Sequence, residues 1–208
     1  GEIRSKSLKL IRKFFTRVRV ANFGGKANRE KGEKIAEKIA PLREGENVMD
    51  YTKALGEDPM ENALLFISFC HELCSREMYP ECPFEKLLPL LEVMNSLYDI
   101  FGPFAHEVKT SKILPATFVG DILDFYAKPT FELLLYFLSN SWDMIRKKTY
   151  EILKFFPIDF IVTEADRLVR LAFEFCSKSK LKIYDSGALL FRILYQRMVI
   201  DRTYSLNV

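Results

Sequence analysis

Apolar residues recur along this chain at spacings of three and four, and a convincing period-2 alternation occurs nowhere, so the pattern predicts helices and no strands. The first helix runs over residues 3–19. Ile3, Ser7, Leu10, Ile11, Phe14 and Val18 form one stripe on it, and Lys6, Lys9, Lys13 and Arg17 line another. Asn22-Phe23-Gly24-Gly25 breaks the pattern. The residues up to 58 are then polar and charged, with one short helical piece near Glu33–Ile39 ending at Pro41. Two dense apolar segments, 61–78 and 83–101, read as buried helices packed antiparallel across the two-proline break Tyr79-Pro80-Glu81-Cys82-Pro83. A weaker segment holds Val108 and Ile113, and further helices are predicted over 117–126 and 130–138. Asn140 or Ser141 caps a helix over 142–156 that Pro157 stops. Thr163 and Asp166 read as a variant capping box ahead of Leu168, Leu171, Ala172 and Phe175. Asp185 caps the last helix, where Ser186, Gly187 and Ala188 allow a neighbour to come close.

One helix type is used twice. The run Ile3–Arg12 returns, in most residue classes, as Ile145–Lys154, and each copy is followed by a pair of phenylalanines, Phe14 and Phe15 or Phe155 and Phe156. Reuse of an amphipathic helix in an otherwise helical chain predicts an all-α solenoid, whose units bury their faces by stacking on one another. At 208 residues the chain has room for about four to five helix pairs. We read residues 1–208 as a single helical-repeat segment with a polar, charged insertion at about 22–58. The first residue is Gly and the last four carry no stop signal, so a piece of a longer protein is expected.

Composition sharpens this only in places. Half the residues (49%) are hydrophobic and 18 are Phe, enough for a substantial core. The net charge of +3 hides an asymmetry: residues 1–44 hold 13 Lys or Arg against 5 Asp or Glu, leaving the remainder net acidic. Such an end either solvates a helix face or selects a polyanionic partner. The four cysteines are irregularly spaced and most sit in apolar helical patterns, which predicts packed, reduced thiols and a reducing compartment. No apolar run is long enough to span a bilayer and no signal segment opens the chain, so no membrane role is expected.

Candidate chemistry is sparse. Cys70, His71, Cys74 and Cys82 are the only cluster with metal-ligating residue types, but His71 points about 100° away from the Cys70–Cys74 face, and packing is the expected role. His106 has no nucleophile on a strand-to-helix elbow to serve. Asp121 with Asp124 reads as a solvated pair, and Glu164 with Asp166 as helix-start acids. The segment Asn22–Lys26 lacks phosphate-loop spacing. Neither catalysis nor a cofactor nor a metal is expected. What remains is a row of cations about 6 Å apart, Lys6, Lys9, Lys13 and Arg17, which Arg12, Arg19, Lys26 and Arg29 extend, able to track a phosphate backbone. It carries no interleaved aromatics for stacking bases.

The block from Pro129 to Met198 carries a resemblance: Leu133-Leu134-Leu135, then Ser141-Trp142-Asp143-Met144-Ile145-Arg146 through Leu153, Pro157, Thr163, Asp166 and Asp185-Ser186-Gly187-Ala188-Leu189. With the opening Arg4–Leu8, it resembles the armadillo/HEAT-like helical proteins of the thyroid adenoma-associated protein family, which includes the fungal partner subunit of a tRNA ribose 2′-O-methyltransferase. The resemblance implies a cytoplasmic armadillo/HEAT-like solenoid that holds a methyltransferase-like protein against its tRNA and supplies no catalytic group. That family's Arg-rich central motif is missing from this chain, so no functional residue is carried over by position. The alternative is a solenoid that binds only protein, with no nucleic-acid role.

Overall fold

The computed structural model describes residues 2–23, 29–45, 47–107, 125–177 and 183–201. Among the described residues every regular element is helical and no strand occurs. The predicted segment with Val108 and Ile113, most of 117–126, and the Asp121–Asp124 pair lie outside them; of His106 only the backbone, inside a helix, is described. The chain divides into two compact units, Gly1–Tyr79 with Pro89–Ala127, and Pro80–Leu88 with Lys128–Val208.

The first unit is built around α3 (Pro59–Glu77), which begins where Asp58 accepts hydrogen bonds from the backbone N–H groups of Met60 and Glu61. Its buried positions Leu64, Leu65, Ile67, Ser68, Cys70, His71 and Cys74 cover more than one side of the helix, as their density predicts. α4 (Phe84–Glu107) belongs to this unit from Pro89 onward and runs antiparallel to α3, with the Cys74 thiol near the Leu90 carbonyl and His71 beside Tyr98. α1 (Glu2–Phe23) lies against both partners: Phe14 meets Phe66 of α3 edge-on at 5.4 Å and Phe15 meets Phe101 of α4 at 6.0 Å. Two ion pairs, Arg4–Glu92 and Arg12–Asp99, fasten α1 alongside α4.

The polar stretch 22–58 carries more structure than its pattern predicts. α2 (Arg29–Glu44) is a 16-residue helix that buries Ile35 and Ile39 and continues through Pro41. It is held to α3 by Lys38–Glu61, and by Arg76, which donates to the Arg43 carbonyl at 2.7 Å while pairing with Glu72. A 3-10 segment (Val48–Ala54) follows. Its Asn47 cap accepts from the Met49 N–H, and Tyr51 is buried against α3 with its hydroxyl 3.0 Å from Ser68 Oγ.

The second unit holds α5 (Lys128–Phe137), α6 (Asp143–Leu153), α7 (Ile158–Thr163), α8 (Ala165–Ser177), α9 (Tyr184–Tyr195) and a π-helical turn (Gln196–Asp201). Its core gathers Phe131, Phe156 and Phe160, with centroids 4.7–5.4 Å apart. α8 and α9 pack antiparallel and very closely: a Cβ on Gly187 would stand 2.5 Å from both the Ala172 carbonyl oxygen and Cys176 Sγ. The small residues Ser186 and Gly187 therefore do what their sequence suggests, whereas Ala188 is exposed.

Helix boundaries depart from the pattern where side chains choose other partners. Trp142 occupies the cap position of α6, and Asn140 serves the helix by accepting from the Trp142 N–H. Thr163 caps nothing. Its hydroxyl donates to the Asp159 carbonyl inside α7, and α8 starts only at Ala165. Asp185 lies within the first turn of α9, with Ile183 at the cap. Pro157 caps α7 instead of ending α6, which stops at Leu153.

Candidate functional site

The sequence directs attention to α1, and its structure there turns on which face is buried. Leu8, Ile11, Phe15 and Val18 point inward, with Phe15 and Val18 fully buried. This face is rotated by about 70° from the predicted stripe, taking about 100° per residue. The rotation exposes Leu10 to 69% and leaves Phe14 at 36%. Lys6, Lys9, Lys13 and Arg17 are exposed on the side about 180° from the buried face. Arg12 departs from that row, because its guanidinium is committed to Asp99. Lys9, Lys13 and Arg17 pair with no carboxylate among the described residues.

The sequence twin of α1 shows what the rotation means. In α6 and the turn after it, Ile145, Thr149, Ile152 and Phe156 are all 0% exposed, covered by neighbouring helices of the second unit. The positions corresponding to the last three are Ser7, Leu10 and Phe14, all exposed. A stripe with the spacing of a helix-packing face is thus open in α1.

That stripe continues onto α3 and the 3-10 segment as an aromatic line. Phe14 contacts Phe66, Phe66 stacks on Phe69 at 6.1 Å, and Phe69 meets Tyr51 at 6.1 Å. Beneath it a groove of about 150 Å³ is lined by Tyr51, Thr52, Leu55, Leu65, Phe66 and Phe69. Leu55 is 53% exposed and Phe66 41%. Burial holds the Tyr51 hydroxyl un-ionised by raising its pKa. The groove was hidden in a stretch that reads as polar; its signal is the three-residue spacing Val48, Tyr51, Ala54, the period of a 3-10 helix.

The Cys/His cluster is packing. Cys70, Cys74 and Cys82 are buried free thiols, and burial pushes the Cys70 thiol up to about 12 and raises that of Cys74 as well. Thiols held un-ionised in this way are poor nucleophiles and poor metal ligands. His71 is stacked on Phe125 at 4.7 Å, and Phe125 in turn on Tyr98 at 4.6 Å. Burial, helped by the charge of Arg43, lowers its pKa to about 3, and among the described residues its Nε2 has no hydrogen-bond partner. Among the described residues no group of three or more His, Cys, Asp and Glu is placed to hold a metal ion, and no helix is long and apolar enough to cross a membrane.

Arg146, which the sequence carries only as part of the resemblance block, is nearly fully buried in the second unit. It donates to the carbonyls of Asn140 and Ser141 at 3.0 and 3.1 Å, and to Asp143 and Asp185 at 3.3 and 2.9 Å. Asp185 thus locks α9 to the start of α6, and the next residue, Ser186, donates to the Leu138 carbonyl at 2.6 Å. Both are architectural contacts. The resemblance block around Asp143–Arg146 and Asp185–Gly187 is built from these residues. Comparison with family models, curated proteins and solved structures finds no match to this chain.

Proposed function

We propose that this chain is a non-catalytic helical scaffold segment, cytoplasmic, that supports tRNA ribose 2′-O-methylation by holding a methyltransferase-like protein and touching tRNA through the outer face of α1. The observation that carries this reading is the row Lys9, Lys13 and Arg17, exposed opposite the buried face and paired with no carboxylate among the described residues; exposed Lys6 lies in line with it. Cations one helical turn apart reach successive phosphates and release their counterions. With no aromatic ring on that row, the contact is to backbone and carries no base sequence. The armadillo/HEAT-like resemblance supplies the tRNA-modification context. The buried, un-ionised thiols and the stacked imidazole that burial keeps neutral are poorly suited to nucleophilic or acid–base chemistry, which supports a non-catalytic role.

The test is a titration of tRNA at two salt concentrations, comparing the native chain with the triple substitution Lys9→Glu, Lys13→Glu, Arg17→Glu. The native chain binds with an affinity that falls as salt rises. The variant binds more weakly, and its salt dependence is shallower by about one unit of slope per cation removed. Equal affinity and equal slope would remove α1 from the reading.

A further inference from the structure

The open stripe on α1 and the groove beside it form one surface, and its charge says what fits. We infer that the Leu10–Phe14–Phe66 stripe and the groove under Leu55 dock an acidic amphipathic α-helix of a partner protein, an inference that rests on the scaffold half of the function proposed above. Three observations lead there. First, the exposed positions Ser7, Leu10 and Phe14 repeat the spacing of Thr149, Ile152 and Phe156, a stripe that α6 and its following turn bury under other helices, so the face is shaped for a helix. Second, the groove's roughly 150 Å³ has the capacity of one aromatic or branched aliphatic side chain, and its lining side chains are apolar apart from the hydroxyls of Tyr51 and Thr52. The Tyr51 hydroxyl is already engaged with Ser68. Third, Lys13 and Arg17 flank Phe14 on the same side of α1 as Leu10, with Lys9 one turn earlier. On the opposite, 3-10 side, Asp50 and Lys53 pair with each other at 2.6 Å. Among these residues the charge left without an opposite partner is positive and lies along the α1 edge.

An occupant that satisfies all three presents large apolar residues at helical spacing, one of them seated in the groove, and carboxylates along the edge that meets α1. Apolar burial supplies the affinity, and the cations supply orientation and rate of association. A basic helix would place like charges on Lys9, Lys13 and Arg17 and is disfavoured on the same surface.

The test uses the full 208-residue chain and fluorescently labelled synthetic helical peptides of about 18 residues, with Leu and Phe on one face. One carries Glu beside that face, a second carries Lys there, and a third has the composition of the first in scrambled order. The Glu peptide binds saturably; the Lys and scrambled peptides bind at least about tenfold more weakly. Leu55→Asp and, separately, Leu10→Asp each weaken the Glu peptide about tenfold, and both positions are exposed, so circular dichroism and thermal unfolding stay as in the native chain. The triple Glu variant of α1 inverts the preference toward the Lys peptide. Equal binding of Glu and Lys peptides, or no effect of Leu55→Asp and Leu10→Asp, overturns the inference. So does a dimer of this chain that either substitution dissociates, which would assign the face to a second copy. Titrating tRNA onto Leu55→Asp separates the two proposals. tRNA binding retained while the peptide is lost supports both, peptide binding without any tRNA binding removes only the RNA contact, and tRNA binding without peptide binding removes only this docking surface.

Discussion

Lowering the pH from 7 to 5 should destabilise this protein by about 2 kcal/mol through His71 alone. The imidazole is buried, stacked on Phe125, near Arg43, and held with a pKa of about 3. In the unfolded chain it regains the ordinary value of about 6.5. Between those two values the unfolded state binds one more proton than the folded state, so stability rises with pH across the window and falls as the solution is acidified. The limiting slope is about 1.4 kcal/mol per pH unit, and the 1.5 units from 6.5 down to 5 give the figure above. The carboxylates held below their ordinary range, Glu132 by Arg167 and Asp143 by Lys147, act in the same direction but only below about pH 4.5. The window from 5 to 7 therefore belongs to histidine. The assay is urea unfolding followed by circular dichroism at pH 7, 6 and 5, with His106→Gln in the background so that the second imidazole does not contribute. His71→Phe keeps a ring in the stack and removes the titration, so its stability should be nearly flat over this range. An equal acid loss in His71→Phe would show that the buried imidazole is not the cause.

Two further outcomes concern the second unit. Arg146→Met leaves Asp185 and two loop carbonyls without their donor and should lower unfolding stability by about 3 kcal/mol in urea titration. Arg146→Lys should not restore it, because one ammonium group cannot span the acceptors that the planar guanidinium reaches. Gly187→Ala drives a methyl group against the Ala172 carbonyl and Cys176 Sγ and should destabilise by about 1–3 kcal/mol, read as a lowered thermal midpoint. Adding Cys176→Ala should recover only part of that loss, because the backbone carbonyl remains in the way.

Helix identity was legible wherever apolar density was high. α3 and α4 fall close to their predicted spans because residues such as Leu64, Leu65, Leu87 and Leu91 can satisfy themselves only in a core. Which way a helix faces was legible only where one stripe is apolar. α1 offers two overlapping candidates, and the one containing Phe15 is the one that packs on Phe101 of α4, with the exposed Arg4–Glu92 and Arg12–Asp99 pairs alongside. Nothing local to α1 reports the position of those acids 87 or 88 residues away. Caps were misread for a similar reason: the hydroxyl of Thr163 and the carboxylate of Asp185 have more than one acceptor or donor within reach, and tertiary packing decides between them. The cationic row was legible because exposure of Lys and Arg is the default. The groove beside it was not, since a short 3-10 segment and its C-cap place Tyr51 and Leu55 there from within a polar stretch.

The opening turn of α9 has a consequence for how α9 is held in place. Asp185 reaches Arg146, Ser186 reaches Leu138, and Gly187 admits the backbone of α8, so three consecutive residues fix three different elements. Helices meshed only by ridges and grooves can slide past one another by one turn of about 5.4 Å and find another acceptable fit. Such a slip here would break an ion pair and a buried hydroxyl bond and replace the glycine by a side chain, all at once. The register of α9 is accordingly keyed, like a notched shaft, to a single setting.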